Sequence, residues 1–200
     1  MGAGLINGAV PALLPVWGDR TGTGVSTSVL LLSAMQLGSL LVQWPLGRLS
    51  DRTDRRWVIV GCLAGVAAFS AVLAAGPPKG DIPLFGIFML LGGVALSFYG
   101  ICAAHAADHV PPSGMTRLAS GMLFIWAVGA ATGPFLAAQS IEIAGPAGLF
   151  LFCAVVTGGV AAFVLWRMTR RAPVPREHRP GFVNLPATSP SIGQIDPRSR

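Results

Sequence analysis

Charge is scarce in this chain. Of its 200 residues, 11% are Asp, Glu, Lys or Arg, and only eight are acidic. A soluble domain carries about 25% charged residues. With 52% hydrophobic residues and a mean hydropathy of +0.65, no water-soluble core of this length could hide the apolar surface, so the solvent is lipid. Cysteine is also rare. Cys62, Cys102 and Cys153 lie in or beside apolar runs, far apart, and read as small buried hydrophobes with no disulfide framework and no ligand set. No basic segment precedes the first apolar stretch, so no cleavable signal is expected. The net charge of +6 raises the possibility of nucleic acid, but the arginines flank apolar runs and do not line a groove-reading helix. They read as topology signals and contacts to anionic lipid.

What is present is long apolar runs. A hydrocarbon core of about 30 Å needs about 20 helical residues. Six spans are expected, at about 3–18, 25–46, 57–75, 82–104, 118–138 and 147–166. The fold class is therefore an all-α polytopic membrane protein with six transmembrane helices. The first span is the weakest, being short and carrying Gly2, Gly4, Gly8, Pro11 and Pro15. No carboxylate lies inside any of these spans, so proton coupling has no support within this chain.

Basic residues alternate between loops. Arg20 and Lys79 are alone on one side; the other twelve fall in the second loop, the fourth loop and the tail. The positive-inside rule makes those segments cytoplasmic and both termini cytoplasmic, as in a bacterial inner membrane. Trp17, Trp44, Trp57 and Trp166 fall at span ends, as headgroup-layer anchors would. Gly92, Gly93, Gly129, Gly133, Gly158 and Gly159 offer close helix approach. The membrane bundle is expected over 1–168. From 169 to 200 prolines alternate with arginines and small polar residues, and a disordered cytoplasmic tail is expected.

The densest charge is the hinge between the second and third spans, Gly47-Arg48-Leu49-Ser50-Asp51-Arg52-Thr53-Asp54-Arg55-Arg56. Gly47 follows Pro45, where the second helix is expected to stop and turn. Asp51 and Asp54 stand where carboxylates can cap the third helix. The order Gly47-x-Leu49-Ser50-Asp51-Arg52-x-x-Arg55-Arg56 resembles the signature loop of the major facilitator superfamily, with Asp54 where the family has Gly. That family has twelve helices in two six-helix halves. Gly148-Leu149-Phe150 opening the last span resembles the start of the family's final helix, and Gln43-Trp44-Pro45-Leu46 before the hinge and Tyr99 followed by Ala104-His105 and Asp108 are similar to the C-terminal half of its YcaD-like bacterial branch. The resemblance implies a secondary transporter, not an enzyme, with no cofactor, in which this chain supplies helices seven to twelve. It also implies that Asp51 and Arg52, with Gly47, Arg55 and Arg56, form a cytoplasmic latch against the other half. The partners implied are the bilayer, a small solute, and either the missing six-helix half or a second copy. Gly129, Gly133 and Pro134 resemble the family's G-x-x-x-G-P motif; a plain packing kink is the alternative.

Polar residues inside spans are the default cavity candidates. Asn7, Gln36, Gln43, Tyr99 and, as a possible cavity aromatic, Trp126 are the main ones; Ser97 and Thr132 are two more that could simply bond their own helix. His105, Asp108 and His109 form the only acid–base cluster. It reads as an interfacial cap, as a gate or proton relay, or as a metal site, the last lacking a third distant ligand. The leading expectation is solute transport by alternating access. The alternatives are a non-transporting membrane remnant or scaffold, and a metalloenzyme built on His105 and His109.

Overall fold

The computed structural model describes residues 1–170; the expected tail from 171 onward lies outside the described residues. The chain forms α1 (Gly2–Arg20), α2 (Val25–Arg52), α3 (Arg55–Ala75), α4 (Asp81–Ala107), α5 (Met115–Ala144) and α6 (Gly148–Met168), with 3₁₀ turns at Pro112–Gly114 and Gly145–Ala147. Among the described residues, four stretches are long and apolar enough to cross a membrane. They are α2, α3, α4 and the continuous Met115–Met168 stretch that holds α5 and α6. In α1, Asn7, Asp19, Pro11 and Pro15 dilute the apolar character of an otherwise long helix.

The helices close into a ring. α1 packs chiefly on α5, α2 on α4, and α3 on both α6 and α4; α5 meets α6 and α1 meets α2. Around the ring the order is therefore α1, α5, α6, α3, α4, α2. The α5–α6 reversal turns at Gly145, whose φ of +67° is the left-handed conformation that a side chain disfavours.

Several expectations need correction. The second helix does not stop at Gly47: α2 runs through Pro45 and a buried Gly47 to Arg52. A proline removes one N–H donor and frees one carbonyl, that of Leu41, a loss that membrane helices tolerate. Trp17 is not a headgroup anchor. It is 1% exposed and packs on Phe88 and Phe150, with ring centroids 5.8 and 5.4 Å away. Trp44, Trp57 and Trp166 are exposed, as the belt reading requires. Gly158 and Gly159 face open space and serve no helix contact.

The glycines that do serve contacts include ones read only as helix breakers. A methyl on Gly4 would strike the carbonyl of Trp126, on Gly8 that of Ala130, and on Gly133 that of Leu5, so α1 and α5 meet backbone to backbone. Gly38 and Gly92 make an equivalent approach between α2 and α4, against Met89 and Met35. Pro134 has no N–H to give the Ala130 carbonyl, and that carbonyl is the one Gly8 abuts.

Candidate functional site

Asn7 and Gln36 are brought to one place. A cavity of about 360 Å³ opens between α1, α2, α4 and α5, walled by Asn7, Pro11, Met35, Gln36, Leu96 and Trp126 among others. The Gly4–Trp126 and Gly8–Ala130 contacts put Asn7 level with the stretch 126–130, near the middle of α5. Among the described residues, the wall carries no ionisable group. Asn7 Oδ1 and Trp126 Nε1 are buried with no hydrogen-bond partner among the described residues. An unmet buried polar atom costs about 1–3 kcal/mol. One of these atoms accepts and the other donates, and the exposed Gln36 amide does both.

The other polar candidates lie elsewhere. Tyr99 is buried and packs edge-on against Trp126 at 6.4 Å, off the cavity wall. Gln43 lies two turns further along α2, also off the wall. Thr132 donates to the Val128 carbonyl of its own helix at 2.8 Å. Ser97 is buried in α4.

At the end of the bundle that carries the arginine hinge, the signature residues and the acid–base cluster prove to be one assembly. Arg55 Nε lies 3.0 Å from Asp108 Oδ2, and both side chains are 2% exposed. Arg55 also reaches Asp51 at 3.3 Å. The hinge is thus tied to the end of α4 from inside. Arg48 stacks over Trp44, 3.7 Å from the ring centroid, and Arg52 is exposed. His109 Nδ1 bonds the His105 carbonyl at 2.9 Å, and the two imidazoles meet edge to face at 5.0 Å. Asp108 closes the C-terminus of α4. Among the described residues, no three His, Cys, Asp or Glu side chains come together as metal ligands would.

Asp54, the departure from the signature, has a φ of −71° and accepts from the Arg56 N–H at 3.0 Å, so it caps α3. The turn needs no glycine there. Asp54→Ala should cost about 1 kcal/mol of unfolding free energy and Asp54→Gly only a few tenths, as denaturant titration of the purified protein would measure.

Sequence comparison converges on one family. The Major Facilitator Superfamily model matches residues 1–194. The chain is 23% identical over 176 residues to the uncharacterized MFS-type transporter Ent638_1421 of Enterobacter sp. (strain 638), covering 88% of this chain and 44% of the relative. It is 28% identical over 162 residues to the uncharacterized MFS-type transporter YfkF of Bacillus subtilis (strain 168), covering 80% and 40%. To the uncharacterized MFS-type transporter YcaD of Shigella flexneri it is 22% identical over 176 residues, covering 88% and 44%. The chain spans less than half the length of these curated relatives. No solved structure matches.

Proposed function

The chain belongs to the major facilitator superfamily, and from that premise we propose that it forms the C-terminal six-helix half of a secondary transporter. All six helices cross a bacterial inner membrane with both termini in the cytoplasm. A small solute passes by alternating access, one half rocking against the other around a midplane site. The observation that carries this reading is the cavity between α1, α2, α4 and α5. Its two orphaned polar atoms, Asn7 Oδ1 and Trp126 Nε1, sit at bundle mid-depth in a wall that is apolar apart from Gln36. Such a wall suits an uncharged solute with both hydrogen-bond donors and acceptors. Pro134 and the α1–α5 glycines fix Trp126 opposite Asn7.

In this reading Asp51 and Arg52 latch the cytoplasmic ends of the two halves in the outward-open state, and Asp108 and Arg55 hold the latch loop in place. The facing half is either another polypeptide segment or a second copy of this chain, joined along α1, α2, α4 and α5.

Cysteine accessibility tests this without knowledge of the solute. With Cys62, Cys102 and Cys153 replaced by Ala, Asn7→Cys and Gln36→Cys in native membranes should react with a membrane-impermeant maleimide. Phe124→Cys, on an exposed apolar position of α5, should react at least tenfold more slowly. Equal silence at all three positions would mean that no water-filled path reaches the cavity, and the transport reading would fall.

A further inference from the structure

A second cavity lies on the other side of α4. It measures about 470 Å³ and is enclosed by α3, α4 and α6, none of which except α4 touches the first cavity. Its walls grade from basic to apolar. At the mouth stand Arg56 in the first turn of α3, His105 and His109 at the end of α4, and Arg167 in the last turn of α6. At the floor stand Ile59, Phe98, Val160 and Val164. Phe98 is seven residues before His105, and Val160 seven before Arg167. At 1.5 Å per helical residue, Phe98 and Val160 lie about 10 Å below the mouth, and Ile59 and Val164, three residues from Arg56 and Arg167, about 4–5 Å below it. Among the described residues, no Asp or Glu lines the cavity. Two carboxylates adjoin its mouth residues: Asp54 accepts from the Arg56 N–H, and Asp108 pairs with Arg55.

We propose that this cavity binds an anionic phospholipid, its phosphate between Arg56 and Arg167 and its proximal acyl carbons on Phe98, Ile59 and Val160. The gradient argues for an amphiphile. A free anion would gain from the mouth and nothing from an apolar floor that reaches about 10 Å deeper, whereas a lipid satisfies both, and basic pockets between membrane helices are suited to such headgroups. The chain's own terminal segment is a poor occupant, because residues 171–200 carry five arginines against Glu177 and Asp196. The site is independent of the transport reading, since it shares no residue with the solute cavity. It adjoins the Arg55–Asp108 pair, with Arg56 next to one partner and His105 and His109 flanking the other, so lipid occupancy would brace the hinge.

The test is lipid-dependent stabilisation of the full chain in a neutral detergent, read as a thermal shift, with bound lipid counted by native mass spectrometry. Phosphatidylglycerol should raise the melting temperature saturably and leave one retained lipid, while phosphatidylcholine and inorganic phosphate should not. Arg167→Gln should weaken the midpoint about fivefold, as expected for one basic group near a lipid surface. Val164→Trp, which fills the floor, should abolish the saturable shift, and Arg117→Gln on α5 should leave it intact. Equal shifts from phosphatidylcholine, a full effect from inorganic phosphate, or equal weakening by Arg117→Gln would each overturn the proposal. So would saturable phosphatidylglycerol binding that survives both Arg167→Gln and Val164→Trp. A variant that failed to run as a single species would be replaced by Arg56→Gln, for which the same fivefold weakening is expected.

Discussion

Arg55→Met should destabilise the purified protein by about 3–5 kcal/mol, and adding Asp108→Leu should recover most of the loss. The asymmetry follows from burial. Both side chains are 2% exposed, so truncating the arginine strands the Asp108 carboxylate where water cannot solvate it. Removing both charges removes both desolvation costs and leaves apolar groups of similar volume. Asp51 is different: at 35% exposure it is partly solvated, and Asp51→Asn should cost less than about 1 kcal/mol and do so chiefly at low salt. Unfolding the three single and double variants in detergent gives the cycle. Additive losses from Arg55→Met and Asp108→Leu would mean that the pair contributes nothing as a pair. The functional corollary concerns position. The hinge is anchored to α4 through Arg55, so Asp108→Asn should impair the latch proposed for Asp51 and Arg52 although it touches neither.

The contrast between hinge and cavity explains what could be read from sequence. Long apolar runs broken by charged loops are a one-dimensional signal, and each of the six expected segments falls on its own helix, although α2 runs six residues past the expected 46 and α5 reaches from 115 to 144 where 118–138 was expected. The arginine hinge was legible because its residues are contiguous. The Arg55–Asp108 pair was not, because 53 positions separate the partners and only the α3–α4 packing joins them. Trp17 misled because a tryptophan near a helix end is usually interfacial, and only its packing on Phe88 and Phe150 shows otherwise. Glycine was ambiguous for the same reason. A helical glycine in a membrane protein marks either close approach or nothing, and sequence does not say which face it occupies. The four-residue spacing of Gly4 and Gly8 on α1, matched by Gly129 and Gly133 on α5, was the available signal that these were contacts and not breakers.

That distinction predicts opposite signs for the same substitution. Gly8→Ala and Gly133→Ala should each destabilise by about 1–3 kcal/mol, because the new methyl meets a backbone carbonyl that cannot rotate away as a side chain would. Gly61→Ala, Gly121→Ala and Gly158→Ala should be neutral or stabilise by about 0.5–1 kcal/mol, because nothing lies within 4 Å of the added carbon and the helix loses a flexible residue. The larger Gly8→Leu and Gly133→Leu should prevent α1 from docking on α5 at all. Since that seam is the closest approach of α1 to α5 and sets Asn7 level with Trp126, both Leu variants should also lose the water access of Asn7→Cys, while Gly158→Leu keeps it. Thermal unfolding in detergent, together with maleimide labelling in membranes, reads both effects. If the seam and open-face glycines respond alike, the backbone contact between α1 and α5 does not hold the cavity together. If the seam variants lose stability but keep their labelling, the cavity is shaped by α2 and α4 alone.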